Sequence, residues 1–327
     1  MLGSLALTLA LVAPSLAARS DNETTWTGWN DVKYFFVFGD SYTQTGFNVS
    51  GPQPSPSNPM GNPAYPGWTS SNGPNWVDFL TYNYNASYLQ TYNLAYGGAT
   101  VDAALVKPYA PEVLSLKDQV NSLYLPTYGA NSTSVPWTSS NSLFAFFIGI
   151  NDVGNSWWLD NATAIYDQIF TEYNTLLENV YETGARSFLF LTVPPVNLSP
   201  MILNQDDGGW AAEHMGPVIE DFNARIRQLA RRFAARHGTS TWTFVHDTHQ
   251  LYADVIKNVA ATPQTSGLKN VTAFCKAYAN GTPTWYTFDP NCAYPVNEYL
   301  WLNDLHPTFP MHNATAASVV DYLNAMT

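Results

Sequence analysis

Three short runs, YFFVFG (Tyr34–Gly39), LFAFFIG (Leu143–Gly149) and SFLFLTV (Ser187–Val193), are apolar at nearly every position. A strand with one face in water alternates apolar and polar residues, whereas an unbroken apolar run fits a strand buried on both faces. Such a sheet needs helices above and below it, and strands joined through helices run parallel. Two weaker runs, Tyr88–Tyr96 and Thr241–Asp247, bring the count to about five strands. Stretches of helical period lie between them. Asn161–Thr183 spaces Ile165, Ile169, Tyr173, Leu176, Leu177 and Val180 for one helix face and stops at Gly184. Pro217–His237 opens on a proline and ends at Gly238, and Met311–Met326 follows Pro310. The pattern predicts an α/β fold, a three-layer α/β/α sandwich around a mainly parallel central sheet, with its site at the carboxyl ends of the strands.

The opening MLGSLALTLALVAPSLAARS reads as a signal peptide over residues 1–17, cut after the small residues Ser15 and Ala17. Residues 18–327 are then expected to form a single catalytic domain, secreted and monomeric, without a membrane span. Sequons at Asn22, Asn48, Asn85, Asn131, Asn161, Asn197, Asn270, Asn280 and Asn313 fit a secreted glycoprotein. Cys275 and Cys292 are expected to form a disulfide in that compartment. A net charge of −12 with 13 Lys and Arg argues against nucleic acid or an anionic membrane as partner. The arginines of 217–237 (Arg225, Arg227, Arg231, Arg232, Arg236) read as a solvated helix face before a binding patch. Gly51–Asn75 is too long for a plain connection, and Tyr65, Trp68 and Trp76 mark it as an ordered, site-lining loop.

Chemistry is concentrated at the strand ends. FVFGDSYTQTG puts Ser41 directly after a buried strand, where a helix start would aim backbone donors into a cleft. Helix capping is the other reading of that serine. NLAYGGAT supplies Gly97 and Gly98, and glycine lets an acyl oxygen come close to a backbone N–H. FFIGIND supplies Asn151, whose amide can donate to an oxyanion, and NDLHPT supplies His306 as candidate general base. In VHDTHQ, His246 and His249 have metal-ligand spacing but no third ligand, so a turn is the better reading, with no metal and no cofactor expected. His214 and His237 read as surface or helix-end residues, and one of Trp157 and Trp158 is expected in the cleft.

In this order the four blocks resemble the SGNH, or GDSL, hydrolases. The resemblance implies Ser41 as nucleophile and first oxyanion donor, Gly98 (five residues after Asn93) as second, Asn151 as third, and His306 as base. NPAYPGWTSSNGPNWVDFLT and WLNDLHPTFPMHNATA are similar to fungal acetylesterases of carbohydrate esterase family 16. That likeness implies an acetylated hemicellulose oligosaccharide, above all a xylo-oligosaccharide, as substrate. A lipid esterase of the same superfamily and a non-catalytic carbohydrate-binding glycoprotein are the alternatives.

One position departs from the pattern. The superfamily has aspartate three residues before the histidine, and here Asn303 stands there with Asp304 one place later. Asp304 is expected to act as the catalytic acid from its shifted place. The alternatives are a Ser–His pair oriented by a carbonyl of Asn303, or a distant carboxylate.

Overall fold

The computed structural model describes residues 26–129 and 135–326. The signal-peptide segment and the sequons at Asn22 and Asn131 lie outside the described residues. Five strands, β1 (Tyr34–Gly39), β2 (Gln90–Asn93), β3 (Ser142–Phe147), β4 (Ser187–Leu191) and β5 (Trp242–His246), form one sheet in the order β2-β1-β3-β4-β5. Every pair is parallel. All five expected strands are present. β2 to β5 are shorter than their apolar runs, because the last residues of each run bend away to carry the loops above the sheet.

Register explains why the sheet is so aromatic. Phe36 pairs with Tyr92 on one side and Phe144 on the other, and Phe38 pairs with Phe146. Residues in register on parallel strands point to the same face, so these rings stack: Phe36 on Tyr92 at 4.9 Å, Phe36 on Phe144 at 4.9 Å, Phe38 on Phe146 at 4.8 Å. Gly39 ends β1 beside the carbonyl of Phe147, which a Cβ at that position would meet at 2.5 Å. The Gln119 side chain holds the same glycine from the other side, accepting from its N–H at 3.0 Å and donating to its carbonyl at 2.9 Å.

Seven helices matter to the site or to its support: α1 (Trp76–Tyr82), α2 (Ile150–Gly154), α3 (Ala162–Glu182), α4 (Pro200–Leu203), α5 (Trp210–His237), α6 (Thr248–Lys257) and α7 (Phe309–Asn324). α3 and α7 sit within two residues of their expected bounds. α5 begins seven residues before the predicted Pro217. Gly209, in the left-handed region, precedes it, and Pro217 lies two turns inside it, where it withholds the amide hydrogen that the Glu213 carbonyl would accept. Among the described residues no helix is long and apolar enough to cross a membrane.

Candidate active site

Ser41 leaves the carboxyl end of β1 in a tight turn, not at the start of a regular helix. Thr43 and Gln44 donate to the Asp40 carbonyl at 3.0 and 2.9 Å, which closes the turn. Two asparagines fasten it from below. Asn75 donates to the carbonyls of Thr43 and Gln44 at 2.8 and 2.9 Å, and Asn93 donates to that of Thr43 at 2.6 Å. Asp40 itself is fully buried. One carboxyl oxygen accepts from the Tyr42 amide at 3.0 Å, and the other has no partner. Burial pushes this carboxyl up to about 8.

The candidate base comes from the loop before α7. His306 Nε2 lies 2.8 Å from Ser41 Oγ. On the far side of the ring, Nδ1 lies 3.0 Å from Asn303 Oδ1. The same oxygen accepts from the backbone amides of Leu305 at 3.1 Å and His306 at 2.8 Å. Amide N–H groups can only donate, so this atom of Asn303 is the oxygen, and its Nδ2 turns to the Ala279 carbonyl at 3.4 Å. An acceptor at Nδ1 places the ring proton there and leaves the Nε2 lone pair facing the serine hydroxyl. Burial holds the imidazole down at about 4, against the opposing pull of the Asp304 charge.

Asp304 is therefore not where the shifted-acid expectation put it. Its carboxylate is exposed and makes no hydrogen bond among the described residues, while its backbone carbonyl accepts from Met201 of α4 at 2.7 Å. Asn303 Oδ1 already occupies Nδ1, and the turn that aims it there points the next side chain outward. The carbonyl-oriented pair is the arrangement present. Tyr42 ties the two halves together, donating from its hydroxyl to the Leu305 carbonyl at 2.6 Å.

The expected oxyanion donors lie on the segments beside Ser41. A Cβ on Gly97 would sit 3.8 Å from the Ser41 Cβ, so the Gly97–Gly98 turn adjoins Ser41. Gly97 spends its amide on the Gln44 side chain, whereas the amides of Ser41 and Gly98 have no partner among the described residues. Gly98 has φ +82 and carries the Tyr109 ring against its Cα, so a side chain there meets both strain and a clash. Asn151, the second residue of α2, gives one amide hydrogen to the Ala99 carbonyl at 2.9 Å, which leaves the other. Asp152 fastens the two segments, both carboxyl oxygens accepting from the Val101 amide at 3.0 and 3.2 Å, and burial pushes it up to about 7.

A cleft of about 680 Å³ opens over His306 and Asn303, with Thr69 and Asn72 on one wall and Thr282 and Trp285 on the other. The first wall is the predicted long loop. The second is the loop closed by the Cys275–Cys292 disulfide, with Cα atoms 5.7 Å apart. Asn72, at φ 56, joins the walls by donating to Thr282 Oγ1 at 2.8 Å and accepting from the Thr282 amide at 2.7 Å. The role of this second wall was not foreseen, since its Thr, Pro and Asn content reads as a plain loop. Two aromatic expectations fail. Trp76 is fully buried in α1 and donates to Thr43 Oγ1 at 3.1 Å, so it supports the nucleophile turn from behind. Trp157 and Trp158 are not among the residues that line this cleft; Trp157 instead packs against Trp158 and Trp210.

The remaining candidates are placed as follows. His246 and His249 bond away from each other, His246 to Thr248 and Ser318 and His249 to the Val193 carbonyl. Among the described residues no three His, Cys, Asp or Glu side chains gather as metal ligands. Arg225, Arg227 and Arg236 each pair with acids on neighbouring elements. Asn48, Asn85, Asn161 and Asn280 are exposed, and Asn280 lies at the cleft. Asn197, Asn270 and Asn313 are half-buried, and their amide groups are engaged with Ala212, with Thr272 and Ala273, and with Tyr84.

Comparison with known proteins agrees with this geometry. The GDSL-like lipase/acylhydrolase family profile matches residues 35–319. An acetylesterase of Thermothelomyces thermophilus is 38% identical over 292 residues, covering 88% of this chain and 87% of its own length. An acetylesterase of Hypocrea jecorina is 24% identical over 319 residues, covering 85% of each chain. Among solved structures, an acetyl-xylooligosaccharide esterase mutant from Geobacillus stearothermophilus superposes with a TM-score of 0.49 at 14% identity, over 89% of this chain and 94% of its own. The chain belongs to the GDSL-like lipase/acylhydrolase family and is a carboxylic ester hydrolase.

Proposed function

We propose that the protein is a secreted acetylesterase that removes O-acetyl groups from hemicellulose-derived oligosaccharides, xylo-oligosaccharides above all. The observation that carries this reading is the Ser41–His306 pair, 2.8 Å apart, whose histidine lines a cleft walled by hydroxyl and amide side chains with the Trp285 indole among them. Such walls suit a sugar, which offers hydroxyls to bond and a C–H face to stack, better than an alkyl chain. The 38% identical acetylesterase supports the acetyl part of the reading.

The chemistry follows from the pair. Ser41 Oγ attacks the acetyl carbonyl carbon as its proton passes to His306 Nε2. The carbonyl oxygen becomes an oxyanion facing the amides of Ser41 and Gly98 and the free amide hydrogen of Asn151. When the intermediate collapses, the bond from the acetyl carbon to the sugar oxygen breaks, and His306 returns the proton to that oxygen. Water then attacks the acetyl-Ser41 ester with His306 again taking a proton, and acetate leaves as the Ser41 hydroxyl is restored. Asn303 Oδ1 holds the Nδ1 proton throughout and stabilises the imidazolium as a dipole, without a charge.

Acetate release from acetylated xylo-oligosaccharides, beside turnover of a long-chain p-nitrophenyl ester, tests the reading. Ser41→Ala is expected to stay folded and lose turnover by at least about 10⁴-fold. Unchanged hydrolysis in that variant refutes the site. Turnover of the long-chain ester alone replaces the sugar reading with a lipid esterase.

A further inference from the structure

We propose that Trp157, Trp158 and Trp210 form a second glycan-binding site, an indole platform outside the cleft that holds a neutral polysaccharide while the cleft works on its acetyl groups; this rests on the carbohydrate reading above. Trp157 lies at its centre, with ring centroids 5.7 Å from Trp158 and 5.5 Å from Trp210. His214 stacks on Trp210 at 4.3 Å and bonds the Trp210 carbonyl through Nδ1 at 2.8 Å, which holds the ring in place. Even so, Trp158 remains 53% exposed and Trp210 50% exposed. Adjoining indoles left half in water mark an interaction surface, because isolated packing would turn them inward.

The approach to the platform is a built one. Asp207 accepts from the amides of Gly209 at 2.9 Å and Ala211 at 2.8 Å, and Gly208 and Gly209 take positive φ values of 67 and 89, so the chain turns sharply into α5 with Trp210 first. Both segments that supply the indoles lead back to the catalytic centre. The Trp157 amide donates to the Val153 carbonyl at 3.0 Å, continuing the turns of α2, which holds Asn151. Trp210 follows α4, whose Met201 amide holds the Asp304 carbonyl of the base loop at 2.7 Å. The two segments that carry the indoles are thereby tied to the loops that carry Asn151 and His306.

Charge selects the class of ligand. Asp160, Asp206, Asp207 and Glu213 flank the indoles in sequence, where between residues 118 and 224 the sole Lys or Arg is Arg186. Arg186 is occupied with the carbonyls of Tyr181 and Ala185, and Lys107 approaches the segment through its carbonyl, which accepts from Asn155 at 3.1 Å. This excess of acid along the two segments disfavours anionic polymers and anionic bilayers. A neutral glycan fits, with its C–H faces on the indoles and its hydroxyls donating to the carboxylates.

Retardation in native gels containing soluble arabinoxylan measures this directly. It uses Ser41→Ala protein, with and without Trp158→Ala and Trp210→Ala. Each lost ring is expected to weaken retention by about 2- to 10-fold, the range of one aromatic stacking contact. Equal retardation with and without the indoles overturns the proposal. So does loss of vesicle binding (phosphatidylcholine) in the double variant without any arabinoxylan effect, or a dimer that the double variant splits while retention stays equal. Trp158→Gln, at the more exposed ring, is the second variant should the double one fail to melt cooperatively. Hydrolysis of p-nitrophenyl acetate by the unsubstituted protein tests the esterase reading separately, since retardation needs no turnover.

Discussion

Asn303→Asp exchanges one NH₂ group for an oxygen at nearly constant shape, and it puts a charge where the base is held. The oxygen that accepts from His306 Nδ1 stays at 3.0 Å, still fixed by the amides of Leu305 and His306. The centres of imidazolium and carboxylate then lie about 4 Å apart, worth about 4 kcal/mol at an effective dielectric of 20, or about 3 pK units. The His306 ring is largely buried but the residue keeps some exposure, and water at that edge trims the shift to roughly 2 units. The other groups facing the ring stay as they are: the Asp304 charge, neutral His312, and the Tyr42 ring at 5.8 Å. The base therefore rises from about 4 to roughly 6. Catalysis needs the neutral imidazole, so kcat/KM falls as pH drops through that value. The unsubstituted protein is expected to keep its kcat/KM down to about pH 4, whereas the variant loses it below roughly pH 6. Above that, stabilisation of the imidazolium raises kcat by roughly tenfold or more, less whatever the second carboxylate oxygen costs against the Ala279 carbonyl. A pH–rate profile on p-nitrophenyl acetate, with a melt at each pH, reads the shift. An acid limb that stays put in a folded variant would refute Asn303 as the partner of the ring.

Other perturbations test the support of the site. Replacing Cys275 and Cys292 together by serine removes a link across 17 residues, expected to cost about 3 kcal/mol on the chain-entropy account; KM for an acetylated oligosaccharide should rise more than KM for p-nitrophenyl acetate, and equal changes would show that the wall holds no sugar. Gly149→Ala forces a Cβ at φ 128 to within 2.4 Å of the Phe222 ring and 2.7 Å of Val193. It is expected to lower Tm and, by displacing Asn151, kcat; a variant with both unchanged contradicts that packing. Asp40 is raised in the folded chain to about 8, so the native state holds a proton that the unfolded chain, near 3.9, gives up. Its contribution to stability is fully present below about pH 4 and is lost as pH climbs through about 8. Asp40→Asn should flatten the fall of Tm across that window, and an unaltered slope would place the titration elsewhere.

The sheet was legible because burial on both faces removes the alternation that hides most strands. Phe36, Phe38, Phe144 and Phe146 could be assigned to buried strands before their partners were known. What the pattern could not contain was register, and register is what stacks those rings. Boundaries slipped where a local rule met a tertiary one. Pro217 reads as a helix start, yet the helix begins at Trp210 after Gly209 and carries the proline inside it, at the loss of the one backbone bond that Pro217 cannot donate. Trp76 reads as a cleft aromatic by its place at the end of a long loop. The capping box at Asn75 instead turns the chain into α1 and buries the indole behind the nucleophile.

The proposed catalytic histidine, His306, shows most plainly where spacing informs and where it misleads. Position 303 is chosen by the turn before it is chosen by the ring. A side-chain oxygen there caps the amides two and three residues on, the ordinary reach of an Asx turn, and the same oxygen lies at His306 Nδ1 because the histidine is the third residue. Asparagine and aspartate make that turn equally well, so spacing fixes the position of the partner and leaves its charge free. Asp304 has the charge but sits one residue late, outside the reach of the turn, and no rearrangement short of breaking two backbone bonds brings it under the ring. The Ala279 carbonyl facing Asn303 Nδ2 then favours the amide over the acid, since a carboxylate would set two acceptors against each other. Asn303 gives up charge assistance to the base, and in exchange His306 stays neutral, hence able to take the Ser41 proton, well below the pH at which a carboxylate-paired histidine would be protonated.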